Sequence, residues 1–162
     1  MRATDVANYI IAKSDNVGDL ITNKKLQKIL YYVKAWGLVY FLRDGGVIDE
    51  PFEAWVHGPV CPEVYRAFKV FGYGPLKLDY KDGISSSEYI ANFAREHERE
   101  KDKVDLINAV FDKYAGLSSL QLELLSHSET PWIEARKGLV PIERGNNVIS
   151  DQTMIDYYSA RQ

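Results

Sequence analysis

The sequence predicts a mainly α-helical fold with a small β element, an α+β domain built around one central helix. Over most of the chain, apolar residues recur at steps of three and four, which is the period of an amphipathic helix. Apolar and polar residues alternate only near residues 52–56, which predicts a short strand or hairpin there. Because no repeat, low-complexity tract or linker divides the 162 residues, we predict a single domain over residues 1–162.

The central helix is predicted over residues 22–42, where a broad apolar stripe surrounds the stretch KLQKILYYVKAW. Thr22 is the predicted N-cap, because its hydroxyl can accept a backbone N–H that the first turn leaves free. The helix should end near Gly45 and Gly46, since glycine adopts the left-handed cap conformation without steric cost. Its polar face carries four lysines, which are Lys24, Lys25, Lys28 and Lys34. We expect these lysines to be solvated, with contact to a partner as the alternative.

The elements on either side of the central helix follow from local signals. A first helix is predicted over residues 3–13, and polar residues and Gly18 break it. Pro51 keeps the chain extended into the strand at residues 52–56. The chain is then expected to turn sharply at His57, Gly58 and Pro59.

The middle of the chain is predicted to return to helix. Proline in the first turn opens a helix at Pro62, where a missing N–H costs nothing, and Gly72 ends the region. Residues 76–80 are either a second short strand or an extended loop. Residues 88–114 should be helical in two pieces, with the charged run 95–103 as a solvated face or an elbow between them.

The last third is predicted to hold three more helices. Their expected starts are Ser118 or Ser119, the cap, proline and aromatic of Thr130-Pro131-Trp132, and Ser150 or Asp151. The second of these helices should end at Gly138, and residues 141–149 should be irregular.

Composition limits the classes of function. The net charge of −3 and the pI of about 5.6 argue against a dedicated nucleic-acid binder, which must neutralise phosphates. A helix-turn-helix over residues 104–136 is disfavoured, because its second helix would present glutamates. The single cysteine cannot form an internal disulfide, and the N-terminus lacks the apolar core of a signal peptide. No apolar run approaches the roughly 20 residues that span a bilayer, so we expect a soluble, cytoplasmic protein without membrane contact.

The sequence offers no pattern that requires an enzyme. Cys61 has His57 four residues before it, but a turn and a proline separate them, and no cysteine-enzyme signature flanks the pair. None of the three histidines lies in metal-binding spacing, and no glycine-rich loop precedes a helix with a suitably placed lysine. We therefore predict no catalytic residue, metal or cofactor. Catalysis by Cys61 with His57 is the alternative.

Three segments form a signature together. The first is T-x-x-K-L-Q-K-I-L-Y-Y, over residues 22–32, and the second is A-W-x-x-G-P-V-x-P-x-V-Y, over residues 54–65. The third combines Leu117, Ser118 and Leu124 with the Thr130-Pro131-Trp132 triplet. Together they resemble the Panacea domain, also called the SocA-like antitoxin domain, over nearly the whole chain. The last helix, with Ile155, Tyr157 and Tyr158, is a weaker match. One departure is Ser126-His127, which stands where the family often has threonine and histidine.

The resemblance implies an antitoxin of a two-gene toxin–antitoxin operon, of the kind found in bacterial prophages and mobile elements. Its implied partner is a cognate toxin protein encoded by an adjacent gene and neutralised by direct binding. One branch of the family looks like a proteolytic adaptor that delivers its toxin to an AAA+ protease. That role, or that of a phage-associated regulatory binding protein, is the alternative.

Neutralisation by binding requires an interface with aromatic or arginine anchors at a desolvated centre. We look for such anchors at the predicted turn and on the flank of the central helix. The candidate toxin-contact or motif residues are Tyr31, Tyr32, Trp55, His57, Gly58 and Pro59. Fold maintenance is the favoured reading of each, because buried aromatic residues more often serve the core.

Overall fold

The computed structural model describes residues 1–162 and confirms the mainly α-helical class with a small β element. Its eight helices are α1 (Ala3–Asn16), α2 (Asn23–Tyr40), α3 (Pro62–Phe68), α4 (Ser86–Glu96), α5 (Lys101–Tyr114), α6 (Ser119–His127), α7 (Thr130–Ala135) and α8 (Asp151–Ser159). The strands β1 (Glu53–Trp55) and β2 (Gly58–Val60) form one antiparallel hairpin. None of the helices has the length and apolar content needed to cross a membrane.

Helix α2 is the centre of the molecule, as the sequence predicts. The Thr22 hydroxyl caps it by accepting a hydrogen bond from the backbone N–H of Lys25 at 3.3 Å. Helices α1, α3, α5, α6 and α8 and strand β2 all contact it. Fourteen of its eighteen residues are buried, so even the polar side of this helix lies inside the protein.

The expectation that the lysines of α2 are solvated was wrong for two of the four. Lys28 is 1% exposed and Lys34 is 3% exposed, because neighbouring elements cover the polar face of α2. The Lys34 Nζ donates to the Ile48 carbonyl oxygen at 2.9 Å and lies 3.6 Å from Asp151 Oδ2. Lys24 and Lys25 are partly exposed.

The turn of the hairpin begins one residue earlier than the sequence predicts. Residues 56–57 form the two-residue turn, and Gly58 and Pro59 belong to β2, where they pair with Trp55 and Ala54. Gly58 has a φ of +110°, a conformation that side-chain-bearing residues rarely adopt. The predicted strand at 52–56 is therefore confirmed, and the turn is tighter than expected.

The segment predicted to be irregular at residues 141–149 supports the hairpin from its other edge. The Ala54 N–H donates to the Asn147 carbonyl oxygen at 2.9 Å, and the Ile149 N–H donates to the Phe52 carbonyl oxygen at 2.8 Å. A single antiparallel bridge joins Glu53 and Val148. This segment thus satisfies backbone groups of β1 without forming a full strand.

The other elements follow the predicted order with shifted ends. The two-piece helix is confirmed as α4 and α5, and a 3-10 turn at Glu98–Glu100 forms the elbow. Ser118 caps α6, but Thr130 lies inside α7, whose N-cap residue is Glu129. Helix α7 ends three residues before Gly138. Residues 76–80 form no strand.

Helix α1 extends past Lys13 to Asn16, because Ser14 is buried and the tertiary contact favours another helical turn.

Thirty-four buried residues form one hydrophobic cluster that includes members of α1 to α6, α8 and β1. At one side of it, α4 packs on α1 through Tyr9 and Phe93, whose ring centroids lie 4.3 Å apart.

Candidate functional site

Four of the six candidate residues lie where the hairpin meets α2, α6 and α7. We call this region the hairpin corner. It consists of Lys24, Lys28, Trp55, His57, Gly58, Pro59, Glu123, Ser126, His127, Trp132 and Arg136. The corner joins residues of all three signature segments.

The exposed tip of the corner is an imidazole held by a carboxylate. His57 Nδ1 lies 2.6 Å from Glu123 Oε1, and Lys24 Nζ lies 2.8 Å from Glu123 Oε2. The side chain of His57 is 71% exposed, whereas that of Glu123 is 10% exposed. Burial alone would raise the pKa of Glu123, but hydrogen bonds from Lys24 and His57 outweigh it and lower the pKa. The glutamate is therefore an anion that fixes two groups at the surface.

Beneath the tip, Lys28 is buried under the backbone of Gly58. A Cβ added to Gly58 would lie 2.5 Å from Lys28 Cε and 3.0 Å from Ser126 Oγ, so this position requires glycine for space as well as for its φ. Burial, and to a smaller extent the charge of Lys24, lower the pKa of Lys28 to about 7 against the opposing effect of Glu123. The lysine Nζ makes one long hydrogen bond, to the Pro59 carbonyl oxygen at 3.4 Å.

Helix α7 and the residue that caps its C-terminus hold the hairpin through two side-chain donors. Trp132 Nε1 donates to the Trp55 carbonyl oxygen at 3.0 Å, and Arg136 Nη1 donates to the Ala54 carbonyl oxygen at 2.9 Å. The Trp132 ring stacks on His127 with centroids 3.9 Å apart. The His127 Nε2 is buried without a hydrogen-bond partner, and burial lowers the pKa of this histidine. The signature tryptophan therefore connects α6, α7 and the hairpin.

Tyr31 and Tyr32 lie elsewhere, inside the core, and neither exposes any surface. Tyr32 stacks on Tyr114 with centroids 4.1 Å apart, and its hydroxyl donates to the buried carboxylate of Glu129. The Tyr158 hydroxyl donates to the Tyr31 hydroxyl at 3.3 Å. Burial raises the pKa of Glu129, of Tyr31 and of Tyr32. In this conformation the tyrosine pair attaches α8 and the start of α7 to α2 and cannot touch a partner.

The other candidates also divide into buried residues and residues that reach the surface. Pro59 and Gly58 are buried. Trp55 is half-buried: its ring meets Tyr65 edge-on at 4.9 Å, and its Nε1 donates to Glu53 Oε2 at 2.6 Å. Of the six residues, only His57 and part of Trp55 reach the surface.

The structure does not bring together the cysteine and histidine considered for catalysis. Cys61 is fully buried, and burial raises the pKa of its thiol. Its backbone N–H donates to Gln27 Oε1 at 2.8 Å, while the ring of His57 bonds to Glu123. No group of three His, Cys, Asp or Glu side chains has the arrangement of a metal site.

Seven members of the corner were not among the candidates chosen from the sequence. These seven are Lys24, Lys28, Glu123, Ser126, His127, Trp132 and Arg136. Glu123 could have been found, because it is the only charged residue between Ala115 and Ser128. No local sequence pattern indicates the roles of Lys28 and Arg136, since both depend on which backbone carbonyl groups approach them in the fold.

The family described as "Antitoxin SocA-like, Panacea domain" matches residues 26–133. The chain is 34% identical to "Antitoxin SocA" of Caulobacter vibrioides over 135 residues. The aligned region covers 80% of this chain and 68% of that protein. No solved structure is significantly similar to the chain.

Proposed function

Because the chain belongs to the SocA-like Panacea antitoxin family, we propose that it neutralises a toxin protein encoded by an adjacent gene through direct binding. The antitoxin role follows from the family. Direct binding, the adjacent gene, an encounter in the cytoplasm and the absence of catalysis are parts of the proposal.

The observation that supports binding is the hairpin corner. Its buried part is fixed by Lys28, Trp132 and Arg136, and it presents His57 to solvent on the Glu123 carboxylate. A rigid, preformed surface binds a partner with less loss of conformational entropy than a mobile one. The only thiol is buried, so this surface offers contact groups rather than a nucleophile.

The test is co-expression of this chain with the reading frame next to its gene. We expect the neighbour to stop growth when expressed alone, growth to return on co-expression, and the two proteins to copurify through a tag on either one. Co-expression that restores no growth and yields no complex would contradict the proposal.

The same assay in hosts that lack individual AAA+ proteases separates neutralisation by binding from proteolytic delivery. Neutralisation by binding alone predicts that rescue persists in every host. Loss of rescue in one host, with the complex still formed, would instead identify the chain as an adaptor.

A further inference from the structure

The outer face of α6 is apolar and carries no charge. Leu120 and Leu124 are each 60% exposed, and their i,i+4 spacing places them side by side. In a chain that is 27% charged, the segment from Ala115 to Ser128 has one charged residue, Glu123, which is 8% exposed. The centres of protein interfaces are depleted of charge in the same way.

One border of this face is basic. Lys24 bonds to Glu123 from α2, and the Lys25 Nζ donates to the carbonyl oxygen of Ala115, just before α6. The first turn of α2 contributes two partly exposed lysines, Lys24 and Lys25, and no carboxylate. The one acid in the region is therefore outnumbered, and a complementary partner would carry carboxylates beside its apolar contact.

Glu123 is next to Leu124 in the sequence of α6 and also holds His57, so the same helix carries this face and part of the hairpin corner. We propose that the outer face of α6 is the surface on which the toxin docks. The occupant is an amphipathic helix whose aliphatic side chains cover Leu120 and Leu124 and whose carboxylates face Lys24 and Lys25. This inference rests on the proposed function and names the partner chemistry for it.

A helix is the expected occupant because two leucines one turn apart form a ridge that fits between the side-chain rows of another helix. A second copy of this chain fits less well. A symmetrical contact in which the two α6 helices run antiparallel would bring two basic borders close together, and like charges oppose such a contact.

The test compares two double variants of the full chain. Leu120→Ser with Leu124→Ser removes the proposed contact, and Val70→Ser with Tyr73→Ser removes side chains that are 86% and 101% exposed elsewhere on the surface. Affinity for the purified cognate toxin is measured by calorimetry, and circular dichroism checks that both variants fold. We expect the α6 variant to bind ten- to a hundred-fold more weakly and the control to bind like the parent.

The basic border gives a second readout. Raising the NaCl concentration from 50 to 500 mM should slow association of the parent chain with the toxin roughly tenfold, because salt screens the attraction of opposite charges. Salt-independent association would overturn the acidic part of the proposed occupant.

Other results would contradict the proposal that α6 is the docking surface. Parent-like binding by the folded α6 variant would remove α6 from the interface and leave the antitoxin proposal intact. A parent dimer that becomes monomeric only in the α6 variant would assign the face to a second copy. Failure of the parent chain to bind or neutralise the toxin would end both proposals together.

Discussion

Lys28 shows how much a single buried side chain can affect stability. Its Nζ has one long hydrogen bond, and the charged or titratable groups around it are Lys24, Glu123 and His127. Burial lowers its pKa from 10.5 to about 7. Between those two pH values the unfolded chain binds more protons than the folded chain, so the free energy of unfolding rises with pH across this range.

Replacing Lys28 by methionine should therefore stabilise the protein near neutral pH. We expect Lys28→Met to raise the free energy of unfolding at pH 6 by roughly 1–4 kcal/mol, as when a buried charge gives way to an apolar side chain of similar volume. The gain should shrink as the pH rises from 7 towards 10. Urea denaturation at several pH values measures both effects, and the exposed Lys77→Met is the matched control. A variant less stable than the parent at every pH would contradict this account.

Prediction from the sequence fails most clearly for the burial of individual side chains. Helical periodicity places Lys28 and Lys34 on a polar face but does not record which element covers that face. Periodicity likewise gives no reason to separate Tyr31, which is fully buried, from a surface position on the flank of α2. His57 was selected because a turn was expected there, and its exposure agrees with that reasoning.

The hairpin illustrates the next scale, that of elements. It has three residues in each strand, so its own ladder cannot hold it in place. Arg136 compensates with donors to three carbonyl oxygens, those of Ala54, Glu143 and Val140. The side chain at the C-terminal end of α7 thus joins the hairpin to the loop that follows this helix.

Removing that guanidinium should loosen the hairpin more than the helices. We expect Arg136→Met to lower the free energy of unfolding by roughly 1.5–3 kcal/mol, because the charged donor to one buried and two part-buried carbonyl oxygens is lost. Amide hydrogen exchange should accelerate at Ala54 and Val60 and stay slow in α2. The exposed Arg144→Met is the control. Equal acceleration in α2 and in the hairpin would show that the arginine supports the whole fold instead.

Most elements were predictable from local chemistry. Caps at Thr22, Ser118 and Ser150 and the apolar stripes gave the helices with ends correct to a few residues. The support of β1 by residues 147–149 was not predictable, because a segment with a single bridge has no periodic pattern. The exact turn was missed because glycine and proline signal a bend without showing which residues pair across it.

At the scale of the whole molecule, α2 contacts elements from both ends of the chain. Loss of α2 would uncover α1, α5 and α8 together, so no part of the structure has an independent core. The single-domain prediction can therefore be tested by thermal unfolding.

Calorimetry should show one unfolding transition. For 162 residues we expect an unfolding enthalpy of roughly 110 kcal/mol near 60 °C, at about 0.7 kcal/mol per residue. The van't Hoff enthalpy should equal the calorimetric one, as in a two-state domain. Two resolved transitions would separate the chain into units and contradict the prediction.

The burial of Cys61 has a practical consequence. Since the only thiol of the chain is shielded and burial raises its pKa, maleimide dyes should react slowly with the folded protein. A cysteine introduced at a surface position can then be labelled selectively without first removing the native one. The protein is in effect ready for single-site fluorophores, and distances to a labelled partner can be followed by energy transfer.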